Sequence, residues 1–415
     1  MSEHYMTNFP VDAVRAEFPA LSGQAVFLDN PGGTQVPRRV IAAVSHAMTR
    51  AASNLGGHFD ASREADRINE RAHAAAAALL GASSGREIVI GQSMTMLTFQ
   101  MARSLCRAWS PGDEIIVTRI DHEGNVSPWL LAAEERGLTV RWLPFRRDTW
   151  RIEPEDLLPL LSEKTRLLAL NYASNMTGSI NPVATLTRHA RQAGALVYVD
   201  AVQFTPHDVV DVQALGCDFL ACSSYKFFGP HLGVLWGREA LLAELFPCAV
   251  RCASRALPSR HEIGTPQTEL LAGLEAAIEY FEWLGASTGG TGDRRSLIIA
   301  AYQAMVAYER SLMAKLIEGL SSLPDVSIHG IVEPARFNDR VPTVSFTHAR
   351  HRSRALAEAL GQRLFYVWSG HNYAYEAARY LRLDEDDGVL RIGLAHYNTT
   401  SEVMGVLQAI EDLIG

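Results

Sequence analysis

The segments Ala195-Leu196-Val197-Tyr198-Val199-Asp200-Ala201-Val202-Gln203 and Phe219-Leu220-Ala221-Cys222-Ser223-Ser224-Tyr225-Lys226 decide the architecture of this chain. Each opens as a short apolar run and stops in polar side chains, Asp200 in one and Ser223 to Lys226 in the other. Runs that are apolar throughout read as strands covered on both faces, the habit of parallel sheets. Outward from this pair the pattern repeats. Further strand candidates lie at Glu87–Ile90, Glu114–Thr118, Val140–Leu143, Arg166–Leu170 and Val234–Trp236, which makes seven. Helical stretches separate them: Met94–Arg107, a helix from Asn125 that Gly137 ends, and Val183–Ala193 before Gly194. The expected class is α/β with a mostly parallel seven-stranded sheet, in which ligands bind beyond the strands' carboxyl ends.

A long helix, Glu269–Leu284, runs into the glycine-rich stretch Gly285 to Gly292, the clearest linker in the chain. Beyond it lie a helix at 294–320, strands near Val326–Ile328 and Thr343–Phe346, and a helix near Ser353–Leu360. The last helix opens with a capping box, Thr399 to Glu402, and places Val403, Leu407 and Ile410 on one face. The expected division is an N-terminal segment (1–30) packing on the small domain, a large domain (31–284) and a smaller C-terminal α+β domain (285–415).

Composition narrows the function classes. The chain has 415 residues, 47% hydrophobic and 20% charged, with a net charge of −8. That balance suits a globular protein and offers no basic face for nucleic acid or anionic lipid. Met1 to Ala20 carries Glu3, Asp12, Arg15 and Glu17 without an apolar core, so no signal peptide is read there. No apolar run approaches the roughly 18 residues of a membrane span. The five cysteines (Cys106, Cys217, Cys222, Cys248, Cys252) form no CxxC pair and no even framework, which points to a reducing, cytoplasmic setting. Cys248 and Cys252 are spaced to share a helix face, but with no histidine ligands nearby a metal site is not expected.

The chemistry centres on Lys226. A lysine ending a buried strand is poor packing material, but it is the side chain that forms a Schiff base with a carbonyl cofactor. A carboxylate on the neighbouring strand, Asp200, suits the ring nitrogen of pyridoxal phosphate and keeps that ring an electron sink. Other segments carry two readings each. Gly91-Gln92-Ser93-Met94-Thr95 follows a strand and opens a helix, so its N–H groups and the Ser93 hydroxyl could cradle a phosphate, or it is a plain glycine turn with a serine cap. His122 could stack on an aromatic ring or be a loop histidine. Asn175 could be a ligand or a turn residue. Gln203 has an amide suited to a phenolic oxygen, or it caps the next helix.

Taken in order, the phosphate turn, His122, Asn175, Asp200-x-x-Gln203 and Ser223-x-x-Lys226 resemble the class V aminotransferases of the fold-type I pyridoxal-phosphate enzymes, in particular the cysteine desulfurase-like branch. The resemblance runs from Phe27-Leu28-Asp29-Asn30 to Arg391-Ile392-Gly393-Leu394-Ala395-His396-Tyr397-Asn398-Thr399. It implies that Lys226 holds the cofactor and shuttles the α-proton, that Asp200 pairs with the ring nitrogen, and that His122 stacks on the ring. Gln203 and Asn175 would bind the ring oxygen, while Gln92, Ser93, Met94, Ser223 and Tyr225 would hold the phosphate. Arg391, with Asn30 and Asn175, would bind the substrate, its planar fork clamping the carboxylate. Thr265 in Ile263-Gly264-Thr265-Pro266 would reach a phosphate across a homodimer interface.

The chain departs from that pattern in one chemically decisive place. Desulfurases of this branch carry a reactive cysteine on a loop shortly before the arginine, which takes up sulfur as a persulfide. Here the stretch reads Trp368-Ser369-Gly370-His371-Asn372-Tyr373-Ala374-Tyr375, with tyrosine where the cysteine would fall, and no cysteine follows Cys252. A phenol cannot accept sulfane sulfur; it can donate a proton or a hydrogen bond. Tyr225 and the segment Asn54-Leu55-Gly56-Gly57-His58 also differ from the desulfurase pattern. The expected activity is a C–S β-lyase acting on an S-substituted cysteine, with Tyr373 or Tyr375 either protonating the departing sulfur or packing the loop. The alternatives are transamination, epimerisation, decarboxylative oxidative deamination, desulfurase-type sulfur release and a scaffold without activity.

Overall fold

The computed structural model describes residues 9–384 and 386–415. Glu3 and the rest of segment 1–8, on which part of the signal-peptide and N-terminal-segment readings rest, lie outside the described residues. The seven expected strands form one sheet in the order Ile88–Gly91, Gly233–Gly237, Phe219–Ser223, Leu196–Asp200, Thr165–Asn171, Glu114–Thr118, Thr139–Leu143. Gly233–Gly237 runs antiparallel to both its neighbours and every other pairing is parallel. The α/β expectation is met.

Alternation along each strand explains why the runs are apolar throughout. Val197, Val199, Leu220, Cys222, Leu168 and Leu170 face one core, which also holds Leu186 of helix Val183–Gln192 and Ile278 and Phe281 of helix Thr268–Ser287. Tyr198, Phe219, Ala221, Leu167 and Ala169 face a second, closed by Leu97 and Met101 of helix Met94–Cys106 and Trp129 of helix Ser127–Arg136. Each buried Val, Leu or Phe contributes roughly 1.5–3 kcal/mol. Thr139–Leu143 is the exception. At the sheet edge it exposes Thr139 and Arg141 and fully buries only Leu143, so its apolar look reflects one covered face.

The glycine-rich stretch is shorter as a connection than its composition suggests. Helix Thr268–Ser287 continues through Gly285, and helix Arg294–Ser322 begins soon after. A Cβ on Gly285 would sit 1.9 Å from the Leu297 carbonyl oxygen, so this glycine serves close packing of the two helices. Helix Arg294–Ser322 contributes Ile298, Tyr302 and Met305 to the large core, then Leu312, Leu316 and Leu320 to a separate one. That separate core lies against a four-stranded antiparallel sheet ordered Trp368–Gly370, Val389–Gly393, Thr343–His348, Val326–Ile328. Val403, Leu407 and Ile410 of the last helix join it, and the Thr399–Glu402 capping box is formed. Leu28 packs in this core, whereas Phe9, Val14 and Phe18 pack in the large one.

Helix Arg38–Arg50 had no clear sequence signal, and of helix Asp60–Leu80 only the alanine-rich interior Ala74–Leu80 reads as helical. Cys248 and Cys252 share no helix face, because residues 246–253 are irregular. All five cysteines are free thiols. No helix among the described residues is long and apolar enough to cross a membrane.

Candidate active site

Six of the seven strands point the same way, and residues at or just beyond the carboxyl ends of five of them line a cavity of about 280 Å³, near the lower end of ligand pockets at roughly 300 Å³. Into it come Asp200 from the end of Leu196–Asp200, Ser223 from the end of Phe219–Ser223, and Tyr225 and Lys226 from the turn that follows. Ser93, Met94 and Thr95 enter from the start of helix Met94–Cys106, and His122 from the turn after Thr118. Asn175, Gln203, Asp29, Trp368, Asn372, Tyr373 and Arg391 complete the wall.

Lys226 and Asp200 therefore share one buried space. Burial lowers the Lys226 ammonium, with Arg391 adding repulsion and Asp29 and Asp200 opposing, to a pKa of about 7. Burial raises Asp200 to about 7, against a hydrogen bond from the Val202 N–H and the attraction of Lys226. Neither group is held in its usual charged form at neutral pH by this environment. The Lys226 amine donates to the Pro31 carbonyl and lies 4.9 Å from the centre of the Tyr225 ring.

At the other end Arg391 donates to the Asp29 carboxylate at 2.7 Å and to the Asn175 carbonyl at 3.1 Å, while its buried Nε has no partner. Asn175 donates to the Asn372 carbonyl at 2.6 Å, and its buried Oδ1 is unpartnered. Gln203 donates to Thr343 Oγ1 at 3.0 Å, leaving one amide hydrogen uncommitted. His122 Nδ1 accepts the Gly124 N–H at 2.9 Å, which puts its ring proton on Nε2. Burial, with Lys226 and Arg391, lowers His122 to about 4. Its ring stacks on Tyr373 at 5.3 Å between centroids.

Ser93 has the position that each of its two readings requires. Its hydroxyl caps the helix by accepting the Met96 N–H at 3.2 Å and also faces the cavity. Strand Gly233–Gly237 backs this turn so closely that a Cβ on Gly233 would lie 2.3 Å from the Ser93 carbonyl carbon.

Three expected residues lie elsewhere. Asn30 makes no part of the cavity wall. Its amide donates to the Gly393 carbonyl at 2.8 Å and to Asn398, and its oxygen accepts the Tyr397 hydroxyl, so its polar atoms tie chain segments together. The adjacent Asp29 takes the cavity position, a one-residue correction within Leu28-Asp29-Asn30. Gln92 and Thr265 line a separate cavity with His73 and Glu262.

Sequence reasoning missed Asp29, Trp368 and Asp121, and read Thr95 only as part of the Gly91–Thr95 turn. Asp121 is buried, accepts from Thr118, from Asn125 Nδ2 at 2.7 Å and from the Asn171 N–H at 3.0 Å, and so braces the His122 turn. Burial and the neighbouring Asp200 push its carboxyl well up. The polar Asp121-His122 step after an apolar strand was its available signal.

An α/β enzyme with a buried lysine and carboxylate at the strand ends is the class this fold and site define. The chain belongs to the aminotransferase class-V family, whose model matches residues 26–406. It is 33% identical over 413 residues to the aminotransferase-like protein FGM3 of Gibberella zeae, covering 98% of each chain. It is also 33% identical to a cysteine desulfurase of Serratia proteamaculans, over 98% of this chain and all of that one. Among solved structures, the cysteine desulfurase CsdA of Escherichia coli superposes with a TM-score of 0.86 at 28% identity, covering 98% of both chains. The apo cysteine desulfurase of Thermococcus onnurineus gives 0.86 at 25%, covering 97% of this chain and 98% of that one. Members of this family are pyridoxal-phosphate-dependent enzymes of fold type I. The residues present fit that cofactor: a buried amine beside a buried carboxylate, unpartnered Arg391 Nε and Asn175 Oδ1, and a helix start suited to an anion.

Proposed function

We propose that the chain is a C–S β-lyase, converting an S-substituted cysteine and water into a thiol, pyruvate and ammonia. One observation carries this reading: none of the five cysteines lines the cavity, whereas Lys226, Asp200, Arg391 and Tyr373 all do. Cys106 and Cys222 are buried, and burial raises both thiols to about 12, away from the thiolate form that sulfur uptake needs.

In this reading Lys226 would hold the cofactor, Asp200 would pair with its ring nitrogen, and Gln203 and Asn175 would bind its ring oxygen. Ser93, Met94, Ser223 and Tyr225, with Thr95, would hold its phosphate. When bound, the cofactor supplies a sink for negative charge from the substrate α-carbon. Arg391 orients the substrate by its carboxylate, with the unpartnered Nε available as a further donor. Lys226 Nζ, lowered to about 7, is matched to accept the α-proton near neutral pH. His122, neutral with its proton on Nε2, would stack on the cofactor ring without adding a charge. The Tyr373 hydroxyl gives a proton to the sulfur as the C–S bond breaks.

The assembly is proposed to be a homodimer in which Thr265, outside the cavity of its own chain, serves the partner's phosphate site. The five free thiols suit a cytoplasmic setting. Incubation of the cofactor-loaded enzyme with S-substituted cysteines is expected to release thiol and pyruvate in equal amounts. Formation of alanine with a protein persulfide would overturn the reading, as would exchange of the α-hydrogen with solvent without thiol release.

A further inference from the structure

Strand pairing places Trp368 opposite Arg391 in antiparallel register. Residues so opposed share a sheet face with Cβ atoms roughly 4.5–5.5 Å apart, and both side chains line the cavity. Trp368 is nonetheless 56% exposed, and Tyr373, also on the cavity wall, is 66% exposed. Two large, partly exposed aromatic side chains thus line the cavity, one of them paired across from Arg391.

The Tyr373 side is held firmly. Its carbonyl accepts the Glu123 N–H at 2.7 Å, its own N–H donates to His371 Nδ1 at 3.0 Å, and Asn175 binds the carbonyl of Asn372. Asn372 and Tyr373 both adopt left-handed backbone, φ 54° and 59°, which sidechain-bearing residues keep only where surrounding contacts enforce it. Tyr373 is further stacked on His122.

Charge sets the other half of the argument. Among the described residues lining the cavity the lysine and arginine side chains are Lys226 and Arg391. One is committed to the cofactor and the other to the α-carboxylate, so a second anionic group on the substrate would find no partner and would meet Asp29.

We propose that Trp368 and Tyr373 form an aromatic slot for the group carried on the substrate sulfur, and that the substrates are cysteine conjugates bearing a flat, uncharged aromatic substituent. The proposal rests on the lyase reading for the placement of the carboxylate at Arg391. A substituent extending from that anchor would have Trp368 beside it, across from Arg391, and Tyr373 on the same cavity wall, gaining aromatic contact that a methyl group cannot make.

The test compares S-benzyl-, S-methyl- and S-carboxymethyl-L-cysteine on the cofactor-loaded enzyme, by calorimetric binding and by thiol release. The benzyl conjugate is expected to bind at least roughly tenfold more tightly than the other two. That preference should fall to about twofold in Trp368→Ala and persist in Trp368→Phe. Equal binding of all three, a preference for the carboxymethyl conjugate, or a benzyl preference untouched by Trp368→Ala would overturn the slot. Trp368-dependent benzyl binding without thiol release would support the slot and overturn the lyase reading alone.

Discussion

The Asp29 carboxylate accepts a 2.7 Å hydrogen bond from the Arg391 guanidinium, joining residues 362 apart in the chain at the substrate end of the cavity. Asp29 neutralises a buried cation that would otherwise wait unpaired for a carboxylate. Asp29→Asn is expected to lower the stability of the ligand-free enzyme by about 1–3 kcal/mol, less than a fully buried pair because Asp29 is partly exposed. An amino-acid ligand should then raise the melting temperature of the variant more than that of the parent. An equal rise in both would show that Asp29 does not balance Arg391.

Lys226→Ala is expected to remove the visible absorbance of the covalently held cofactor and to lower turnover by about 10³-fold or more. Spectroscopy of the reconstituted variant checks this. Retained turnover would assign the α-proton to another base.

Tyr373→Phe keeps a ring to stack on His122 and removes only the hydroxyl. It is expected to lower kcat about 10²-fold with little change in KM. The loss should shrink for an S-aryl conjugate, whose thiolate departs with less need of a proton. A loss that is the same for poor and good leaving groups would leave Tyr373 a packing residue.

His122 is expected to stay neutral from pH 8 to 5, since burial, Lys226 and Arg391 lower it from 6.5 to about 4. Below pH 6.5 the unfolded chain takes up a proton that the folded site refuses. The contribution to stability is therefore present above 6.5 and lost as pH falls through about 4. The imidazole resonances of His122 report this directly, and a midpoint between 6 and 7 would contradict the assignment.

Gly233→Ala would drive a methyl group against the Ser93–Met94 backbone. Overpacking of this kind costs about 1–3 kcal/mol. The expected result is a lower melting temperature together with weaker cofactor retention, because the displaced turn is the one proposed to hold phosphate. Loss of stability with unchanged cofactor affinity would separate that turn from the cofactor.

Much of the site was legible in sequence because it sits where strands end. An apolar run broken by Asp200, or by Ser223 through Lys226, announces a strand end, and a parallel sheet gathers such ends on one side. Asp29 and Trp368 were not legible in this way. Asp29 precedes Asn30, and nothing local tells which of two adjacent polar side chains turns inward. Trp368 looked like a loop residue because its strand has three residues and exists only through pairing with Val389–Gly393. Gly285 looked like part of a flexible link, yet it is where two helices touch.

The amino-acid sequence alone determined the α/β sheet and pointed to the lysine and the aspartate, because these follow from local hydrophobic rhythm and from side-chain chemistry, while the arginine followed from the family resemblance. Only the tertiary structure decided that Asp29 reaches Arg391, that His122 lies against Tyr373, and that Trp368 stands opposite the arginine. Those relationships join segments far apart in the chain, and their geometry is set by strand register and packing, which no local stretch encodes.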